Sequence, residues 1–179
     1  MQSIIYKGPG KFAIEDRPKP IIKKADDVMI KVLGVCICGT DINIFATPQK
    51  HPSRPGIIFG HEFCGQVVEV GEAVTSLKPG DKVIVDPHGP CGYGDACRAG
   101  LPEMCKNLYL DEPGLEGQAN AMGVFKDGGL TSYTLVPEKF AYKIAADTPA
   151  ELMALAEPLA CCGYSLEKLN IHVGDTVCI

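Results

Sequence analysis

Apolar and polar residues alternate in short runs up to about residue 145, and glycines and prolines separate the runs. Such runs predict strands, at residues 3–6, 28–36, 63–70, 82–85 and 130–137. Residues 67–71, followed by residues 78–81, are typical of a strand, a turn and a further strand. The pattern predicts a mainly β fold with short helices, arranged as a partly open β-barrel.

The pattern changes after residue 147. Residues 150–169 are good helix formers, and Asp147 or Thr148 is placed to cap a helix that has Pro149 at its first position. Pro158 lies inside this stretch and predicts a break between two helical segments, because proline removes a backbone donor.

Residues 173–179 have the composition of the first strand of a parallel sheet. A glycine-rich loop that binds a dinucleotide is expected after such a strand. We therefore expect two units. Residues 1–147 form one domain, and residues 148–179 supply linking helices and the first strand of a Rossmann α/β domain.

Composition narrows the classes of function. The 179 residues suit one domain, or one domain and part of another, and the 46% hydrophobic and 22% charged content is ordinary for a soluble globular protein. A net charge of -5 with scattered Lys and Arg predicts no nucleic-acid partner. The chain has no apolar run of about 18 residues and no signal-peptide pattern, which argues against a membrane or secreted protein. Nine cysteines that cluster with His and Glu suit reduced thiols and metal in the cytoplasm.

Three residue types that bind zinc occur in a suggestive order, with Cys38 before His61 and Glu62. Zinc accepts thiolate, imidazole and carboxylate ligands, and a catalytic site keeps an open position where a structural site more often closes with four Cys or Cys/His ligands. Cys36 competes with Cys38, because alternation along residues 35–38 would put both thiols on one face of a strand. Five cysteines lie in apolar runs and are expected in the core rather than as ligands: Cys36, Cys64, Cys161, Cys162 and Cys178.

Each of these residues also has an ordinary structural interpretation. A Gly-His-Glu sequence alone is more often a turn with a solvated carboxylate, and Cys38 alone is a small buried apolar residue. Thr40 and Asp41 are common helix caps. Glu157, which precedes a proline, is by itself an exposed carboxylate at a helix end.

The motifs together resemble the zinc signature of the medium-chain alcohol and polyol dehydrogenases, in particular the sorbitol and threonine branch. The similar residues are Cys38-Gly39-Thr40-Asp41, then Gly60-His61-Glu62-Phe63-Cys64-Gly65 with Gly71 and Val74, and Glu157-Pro158-Leu159-Ala160. The resemblance runs from about residue 4 to the end and implies that the barrel is a GroES-like catalytic domain. It implies that Cys38 and His61 bind a catalytic zinc ion directly, that Glu62 fills the third position, and that Glu157 is the fourth, directly or through water.

The same resemblance implies roles for the neighbouring polar residues. Asp41 would hold the second ring nitrogen of His61, and Thr40 would begin a proton relay beside the substrate oxygen. The family often has histidine where this chain has Asn43, and an amide cannot carry a proton near neutral pH. His51 on a nearby loop or bulk water could take that place, although a solvated loop histidine is the simpler interpretation of His51. His88, beside Pro87, has no partner motif and is expected at the surface.

Cys91, Cys97 and Cys105 resemble the family's structural zinc loop, which usually has four thiols. Gly94 stands where the second thiol is expected. Two alternatives stay open: a second zinc ion with Asp95 as fourth ligand, or three reduced cysteines without metal.

The predicted function is that of a zinc-dependent NAD(P) oxidoreductase. Hydride would pass between a secondary alcohol (a polyol, sugar derivative or amino alcohol) and the nicotinamide of NAD or NADP, with one or two Zn²⁺ bound. This chain would be the catalytic domain of a cytoplasmic protein, inactive alone, and homo-oligomeric at full length. The alternatives are a non-catalytic zinc-binding β-barrel module and a zinc-free quinone or enoyl reductase.

Overall fold

The structure, a computed structural model, describes residues 1–106, 120–169, 171–172 and 174–178. The strands in these ranges are β1 (Gln2–Gly8), β2 (Lys11–Asp16), β3 (Asp27–Cys36), β4 (Glu62–Val70), β5 (Lys82–Val85), β6 (Tyr133–Pro137) and β7 (Ala141–Lys143). The α-helices are α1 (Gly39–Phe45), α2 (Asp95–Arg98), α3 (Ala150–Ala154) and α4 (Ala156–Leu169), and 3-10 turns lie at Pro102–Met104 and Glu138–Phe140.

Two antiparallel sheets make up the body of the molecule. β1 and β2 form a hairpin, and the other strands form a sheet in the order β6-β3-β4-β5-β7. The sheet does not close on itself in the part of the chain that the structure describes, which confirms a mainly β fold with short helices and an open arrangement.

The five predicted strands correspond to β1, β3, β4, β5 and β6, whereas β2 and β7 are not predicted. β2 turns Phe12 and Ile14 outward, where they are 58% and 67% exposed. It therefore lacks the inward apolar face from which strands are usually recognised.

The main core lies between the five-stranded sheet and its loops, and includes Val28, Ile30, Phe63, Val67, Val83 and Val136. A second cluster holds α1 in place. Ile44 of α1 is fully buried against Tyr6 and Phe125. The Tyr6 hydroxyl donates to the Ile44 carbonyl at 3.4 Å. This packing fixes α1 at one end of the sheet.

Gly65 lets the two central strands approach closely. A Cβ atom at this position would lie 2.3 Å from Cγ2 of Ile30 and 2.3 Å from the carbonyl oxygen of Lys31. The β3–β4 pairing shifts register between Val32 and Gly34. Only a residue without a side chain fits here, which explains this glycine of the His-Glu motif.

The C-terminal helices begin and break at different residues from those predicted. Pro149 itself is the N-cap of α3, rather than Asp147 or Thr148. The break falls at Leu155, and Pro158 lies in the first turn of α4. Proline is tolerated there because the first backbone N–H groups of a helix have no partner within the helix.

Residues 174–178 form no strand, in contrast to the strand predicted at 173–179, whose terminal residues lie outside the described ranges. A first parallel strand needs a neighbouring strand to bond to, and none of the described elements supplies one. The division at residue 147 therefore stays a prediction. None of the described helices has the length and apolarity needed to cross a membrane.

Candidate metal centre

The antiparallel pairing of β3 with β4 assembles the three predicted zinc ligands. Cys36, the last residue of β3, pairs with Glu62, the first residue of β4. The residues just beyond these strand ends, Cys38 and His61, are therefore neighbours. The thiol of Cys38, a ring nitrogen of His61 and a carboxylate oxygen of Glu62 all lie within 4.8 Å of one another.

The thiol of Cys36, which competes with Cys38 as a zinc ligand in the sequence, lies outside this group. β3 ends at Cys36, so strand alternation does not extend to Cys38, which is instead the N-cap of α1. Sγ of Cys36 donates to the Ala154 carbonyl at 3.5 Å, toward α3. The expectation that both thiols share one strand face is thus wrong.

Burial and charge define the electrostatics of the three groups. His61 and Glu62 are only 7% and 5% exposed. Burial lowers the pKa of His61, but the adjacent carboxylate of Asp41, with the charges of Glu157 and Glu62, outweighs this effect and raises that pKa above its ordinary value. Burial raises the pKa of the Cys38 thiol. A cation placed among these groups would compensate the buried acidic charge.

Asp41 links the thiol-bearing turn to the imidazole. One carboxylate oxygen accepts the backbone N–H of Cys38 at 2.9 Å. The other lies 3.3 Å from Nδ1 of His61, in an alignment short of a regular hydrogen bond. Neither Oδ1 of Asp41 nor Nδ1 of His61 has another hydrogen-bond partner among the described residues. Asp41 is therefore both the helix-capping residue and the neighbour of His61 that the sequence predicts.

Gly60 sets the direction in which His61 points. Its φ is +87°, a conformation that residues with a Cβ rarely adopt, and a Cβ here would lie 2.8 Å from Leu130 Cγ. Its carbonyl accepts the N–H of Gly129 at 2.8 Å. Contacts with residues 128–130 thereby fix the backbone conformation just before His61.

A cavity of about 370 Å³ opens beside the three groups. Its polar lining includes Thr40, His51, His88, Glu157 and Cys161, as well as the three proposed ligands. Glu157 lies outside the group of mutually close ligand atoms. Burial raises its pKa, and the negative charge of Glu62 adds to this effect. The site thus combines three donors with room for a further ligand.

Residues 24–146 match the alcohol dehydrogenase GroES-like domain family. The chain belongs to this family. The match includes Cys38, His61 and Glu62, so the centre described above lies within the family's domain. Glu157 follows the matched range.

The chain is similar to individual proteins named as dehydrogenases and reductases. It is 31% identical to D-xylulose reductase A of Aspergillus oryzae, over 99% of this chain and 47% of that protein. It is 39% identical to L-threonine 3-dehydrogenase of Caldanaerobacter subterraneus subsp. tengcongensis, over 86% and 42%. A Sinorhizobium meliloti protein assigned as a zinc-binding dehydrogenase, solved with NADP, superposes with a TM-score of 0.82 at 34% identity, over 93% and 45%. The chain spans about half the length of the curated relatives it matches.

His88 also lines this cavity of the GroES-like domain, whereas the sequence predicted only a surface position. β5 pairs with β4 so that Ile84 is opposite Cys64, and the residues after β5 therefore reach the cavity. Nδ1 of His88 lies 3.1 Å from Oδ1 of Asp86. The available signal was that His88 follows β5, which pairs with β4, the strand that begins at the His-Glu motif.

The fold also brings together the three thiols of a second cysteine cluster, Cys91, Cys97 and Cys105. Sγ of Cys91 lies 3.6 Å from Sγ of Cys105 and 3.9 Å from Sγ of Cys97. Hydrogen bonds from the backbone of Tyr93 and Gly94 lower the pKa of Cys91 to about 7. The three thiols lie close enough to share a metal ion.

Asp95 does not join this cluster. It begins α2, and its carboxylate is outside the group of mutually close ligand atoms among the described residues. A Cβ at Gly94 would meet Sγ of Cys91 at 3.4 Å and no other atom of the described residues within 4 Å. The space for a fourth ligand is therefore at Gly94.

The remaining cysteines differ from expectation. Cys64 is buried as predicted, but Cys161, Cys162 and Cys178, which were expected in the core, are exposed. They lie on α4 and after it, and α4 has no buried residue in the described structure. All nine cysteines fall within the described residues and are free thiols.

Proposed function

We propose that this chain is the catalytic part of a zinc-dependent NAD(P) oxidoreductase that acts on the secondary hydroxyl of a polyol, sugar derivative or amino alcohol. The observation that carries the proposal is the close approach of the Cys38, His61 and Glu62 donor atoms beside a cavity lined by Thr40. The names of the relatives, a xylulose reductase and a threonine dehydrogenase, support this substrate class.

The donor set fits a catalytic zinc ion. One thiol, one imidazole and one carboxylate are ligand types that zinc accepts, and three protein ligands leave a position for substrate. Nδ1 of His61 faces Asp41, so Nε2 is the nitrogen for the metal. Glu157 lines the same cavity and is the proposed fourth ligand, directly or through water. When bound, zinc would lower the pKa of an alcohol as it does that of water.

The residues of the chain have the following proposed tasks. Asp41 keeps the His61 ring in one orientation. Thr40 offers a hydroxyl to the substrate oxygen, accepts its proton and gives up its own hydroxyl proton toward water. NAD or NADP, when held against this cavity, would supply the nicotinamide that accepts the hydride of the carbinol carbon.

We also propose a second zinc ion on Cys91, Cys97 and Cys105, since their thiols are mutually close and Cys91 ionises readily. With Asp95 outside the cluster, water is the proposed fourth ligand.

We further propose residues 1–147 as the catalytic domain, a cytoplasmic location, and a homo-oligomer at full length without nucleic-acid or membrane partners. The free thiols support a reducing compartment.

Metal analysis and turnover test the main proposal. The chain should bind one zinc ion, or two if the cluster at Cys91 is loaded, and the full-length protein should reduce NAD⁺ with a polyol or amino alcohol. Cys38→Ala should remove one zinc equivalent and the activity. The matched control is Cys162→Ala, which removes an exposed thiol that does not line the cavity.

Two results would change the assignment. If Cys38→Ala keeps its full zinc content and activity, the proposed centre is wrong. If the full-length protein binds zinc but oxidises no alcohol, it is a zinc-binding module rather than an enzyme. This chain by itself is expected to be inactive, because it spans only about half the length of its curated relatives.

A further inference from the structure

β2 lies at the outer edge of the hairpin that it forms with β1. On its other side β1 bonds to the loop beyond it, where the Tyr6 N–H donates to the Ile57 carbonyl at 3.0 Å. The outer side of β2 has no partner strand in the part of the chain that the structure describes. An unpaired edge of this kind offers its backbone to a further strand.

The pairing with β1 determines which backbone groups of β2 point outward. Met1 and Arg17, just beyond the two strands, exchange two hydrogen bonds between their backbone N and O atoms, at 2.7 and 2.8 Å. Bonded and non-bonded pairs alternate along an antiparallel ladder, so Ala13, four residues before Arg17, also bonds to β1. The N–H and C=O groups of Phe12 and Ile14 therefore point away from β1.

Two large apolar side chains accompany these outward backbone groups. Phe12 and Ile14 are two residues apart, so they lie on one face of the strand, and both are mainly exposed. The ring of Phe12 packs against that of Phe45 of α1, with centroids 5.2 Å apart. Exposed apolar side chains beside an unpaired backbone are typical of a surface that another strand covers.

β2 also differs from the edge strands of the five-stranded sheet. Those strands are blunted, since β7 has three residues and β6 ends at Pro137. β2 has six residues and contains no proline, and the register shift of the hairpin lies on β1, between Tyr6 and Gly8. Its backbone is thus regular over enough residues to pair.

The sequence of β2 is complementary to itself when two copies run antiparallel. Outward backbone groups must meet outward groups, which permits a two-fold axis at Ala13. Phe12 is then opposite Ile14 of the second copy, and Lys11 is opposite Glu15. Aromatic residues opposite β-branched ones, and opposite charges, are favourable pairs across strands.

Neighbouring registers are less favourable. An axis one residue later would set Lys11 opposite Arg17, a pair of like charges. An axis one residue earlier would need the N–H of Gly10, which already donates to a carbonyl of α1 at 2.8 Å. Glu15 contacts Lys7 at 2.5 Å and Arg17 at 3.3 Å in its own chain, so charge selects the register more than it strengthens the contact.

We infer that β2 is a contact surface between two copies of this protein, which pair antiparallel about Ala13. Each Phe12–Ile14 pair would exchange two backbone hydrogen bonds. The apolar side chains of both copies would form one cluster, with Phe45 at its border. This inference rests on the homo-oligomer proposed above as part of the function, and it does not depend on the proposed reaction.

Cross-linking tests the register in the full-length protein. At the axis the two Cα atoms of residue 13 would lie about 4.5 Å apart, within the range that a disulfide spans. Ala13→Cys, oxidised with diamide, should therefore give mostly disulfide-linked pairs of chains on a non-reducing gel. The wild type, treated in the same way, controls for the native thiols.

Two further variants control for the position of the axis. Lys11→Cys alone should not cross-link, because the two copies of residue 11 would be about 13 Å apart. Lys11→Cys combined with Glu15→Cys should cross-link, because these residues would be opposite each other.

Ile14→Lys tests the contribution of the contact to assembly. It puts a charge into the apolar cluster of each copy, so the dissociation constant of this contact should rise about 10-fold or more in sedimentation experiments. Ile21→Lys is the matched control, because Ile21 is equally exposed, at 67%, but lies beyond β2. It should assemble as wild type does.

Three results would overturn the inference. If the full-length protein is an oligomer but Ala13→Cys cross-links no more than wild type and Ile14→Lys assembles normally, the contact is wrong and the proposed homo-oligomer and reaction stand. Disulfides from residue 13 to the exposed native cysteines would show that another segment covers β2. A wild type that stays monomeric removes both the contact and the homo-oligomer, whatever its activity toward alcohols.

Discussion

At the scale of the residue, the site depends on side chains that contact two partners at once. Asp41 caps the turn at Cys38 and faces the ring of His61. The sequence identifies such residues by type and order. It does not show that the two oxygens of one carboxylate have different partners, because this depends on how α1 meets β4.

Asp41→Asn separates these two contacts. The amide oxygen can still accept from the Cys38 N–H, but the acceptor charge beside His61 is lost. We expect zinc affinity to fall about 10-fold or more, as measured by competition with a chelator. The matched control is Asp175→Asn, next to the exposed His172. Unchanged affinity in Asp41→Asn would show that the carboxylate does not support the metal.

Gly94→Cys should complete the second cysteine cluster. Its backbone has a φ of -68°, which any residue adopts, and the added side chain would point into space beside Sγ of Cys91. We expect zinc to bind at least about 10-fold more tightly, and Co²⁺ substitution to give the spectrum of four thiolates. Gly94→Ala adds the Cβ without the thiol and should not show this gain. A cluster that binds no zinc in either variant would argue for three reduced cysteines.

At the scale of the element, strand pairing rather than propensity positions the chemistry. The register of β3 on β4 sets Cys36 opposite Glu62, and the pairing of β4 with β5 brings His88 to the same end. Strand positions were largely predictable from alternation, but register depends on contacts between distant segments. This is why His88 was assigned to the surface and Cys36 to the wrong face.

Gly65→Ala tests the close approach of these strands. The new methyl group would overlap Ile30 and the Lys31 carbonyl, so the strands must separate. We expect the free energy of unfolding to fall by about 1–3 kcal/mol, measured by urea denaturation. Gly163→Ala is the control. It lies in α4 with no atom of the described part of the chain within 4 Å of its Cβ position, and it should stabilise the chain slightly. Equal stability of Gly65→Ala and wild type would contradict the close contact.

At the scale of the whole molecule, hydrogen bonds connect loops that are far apart in the chain. Oε1 of Glu138 accepts the backbone N–H of Ser76 at 2.7 Å, the Ser76 hydroxyl at 2.7 Å and the backbone N–H of Thr75 at 2.8 Å. It thereby ties the turn after β6 to the loop between β4 and β5. These bonds hold the pKa of Glu138 below its ordinary value.

The lowered pKa predicts how stability depends on pH. As pH falls, the unfolded chain takes up a proton on Glu138 before the folded chain does. The contribution of Glu138 to the free energy of unfolding is therefore complete above the unfolded pKa of about 4.3 and is lost as pH falls through the folded pKa. Wild type should be more stable than Glu138→Gln at pH 7, and the difference should shrink below about pH 5 in urea titrations. Glu72→Gln makes the same change at an exposed position. A gap that does not shrink for Glu138→Gln would exclude this role.

The amino-acid sequence alone determined the class of fold, most strands and the residue types that surround the proposed metal, because alternation and motif order are local properties of the chain. The tertiary structure decided which groups meet. It excluded Cys36 and Asp95 from the two clusters and brought His51 and His88 into the cavity. It also moved the helix break to Leu155. The physical reason is that register, loop anchoring and burial arise from contacts between segments far apart in the chain, which no local pattern records.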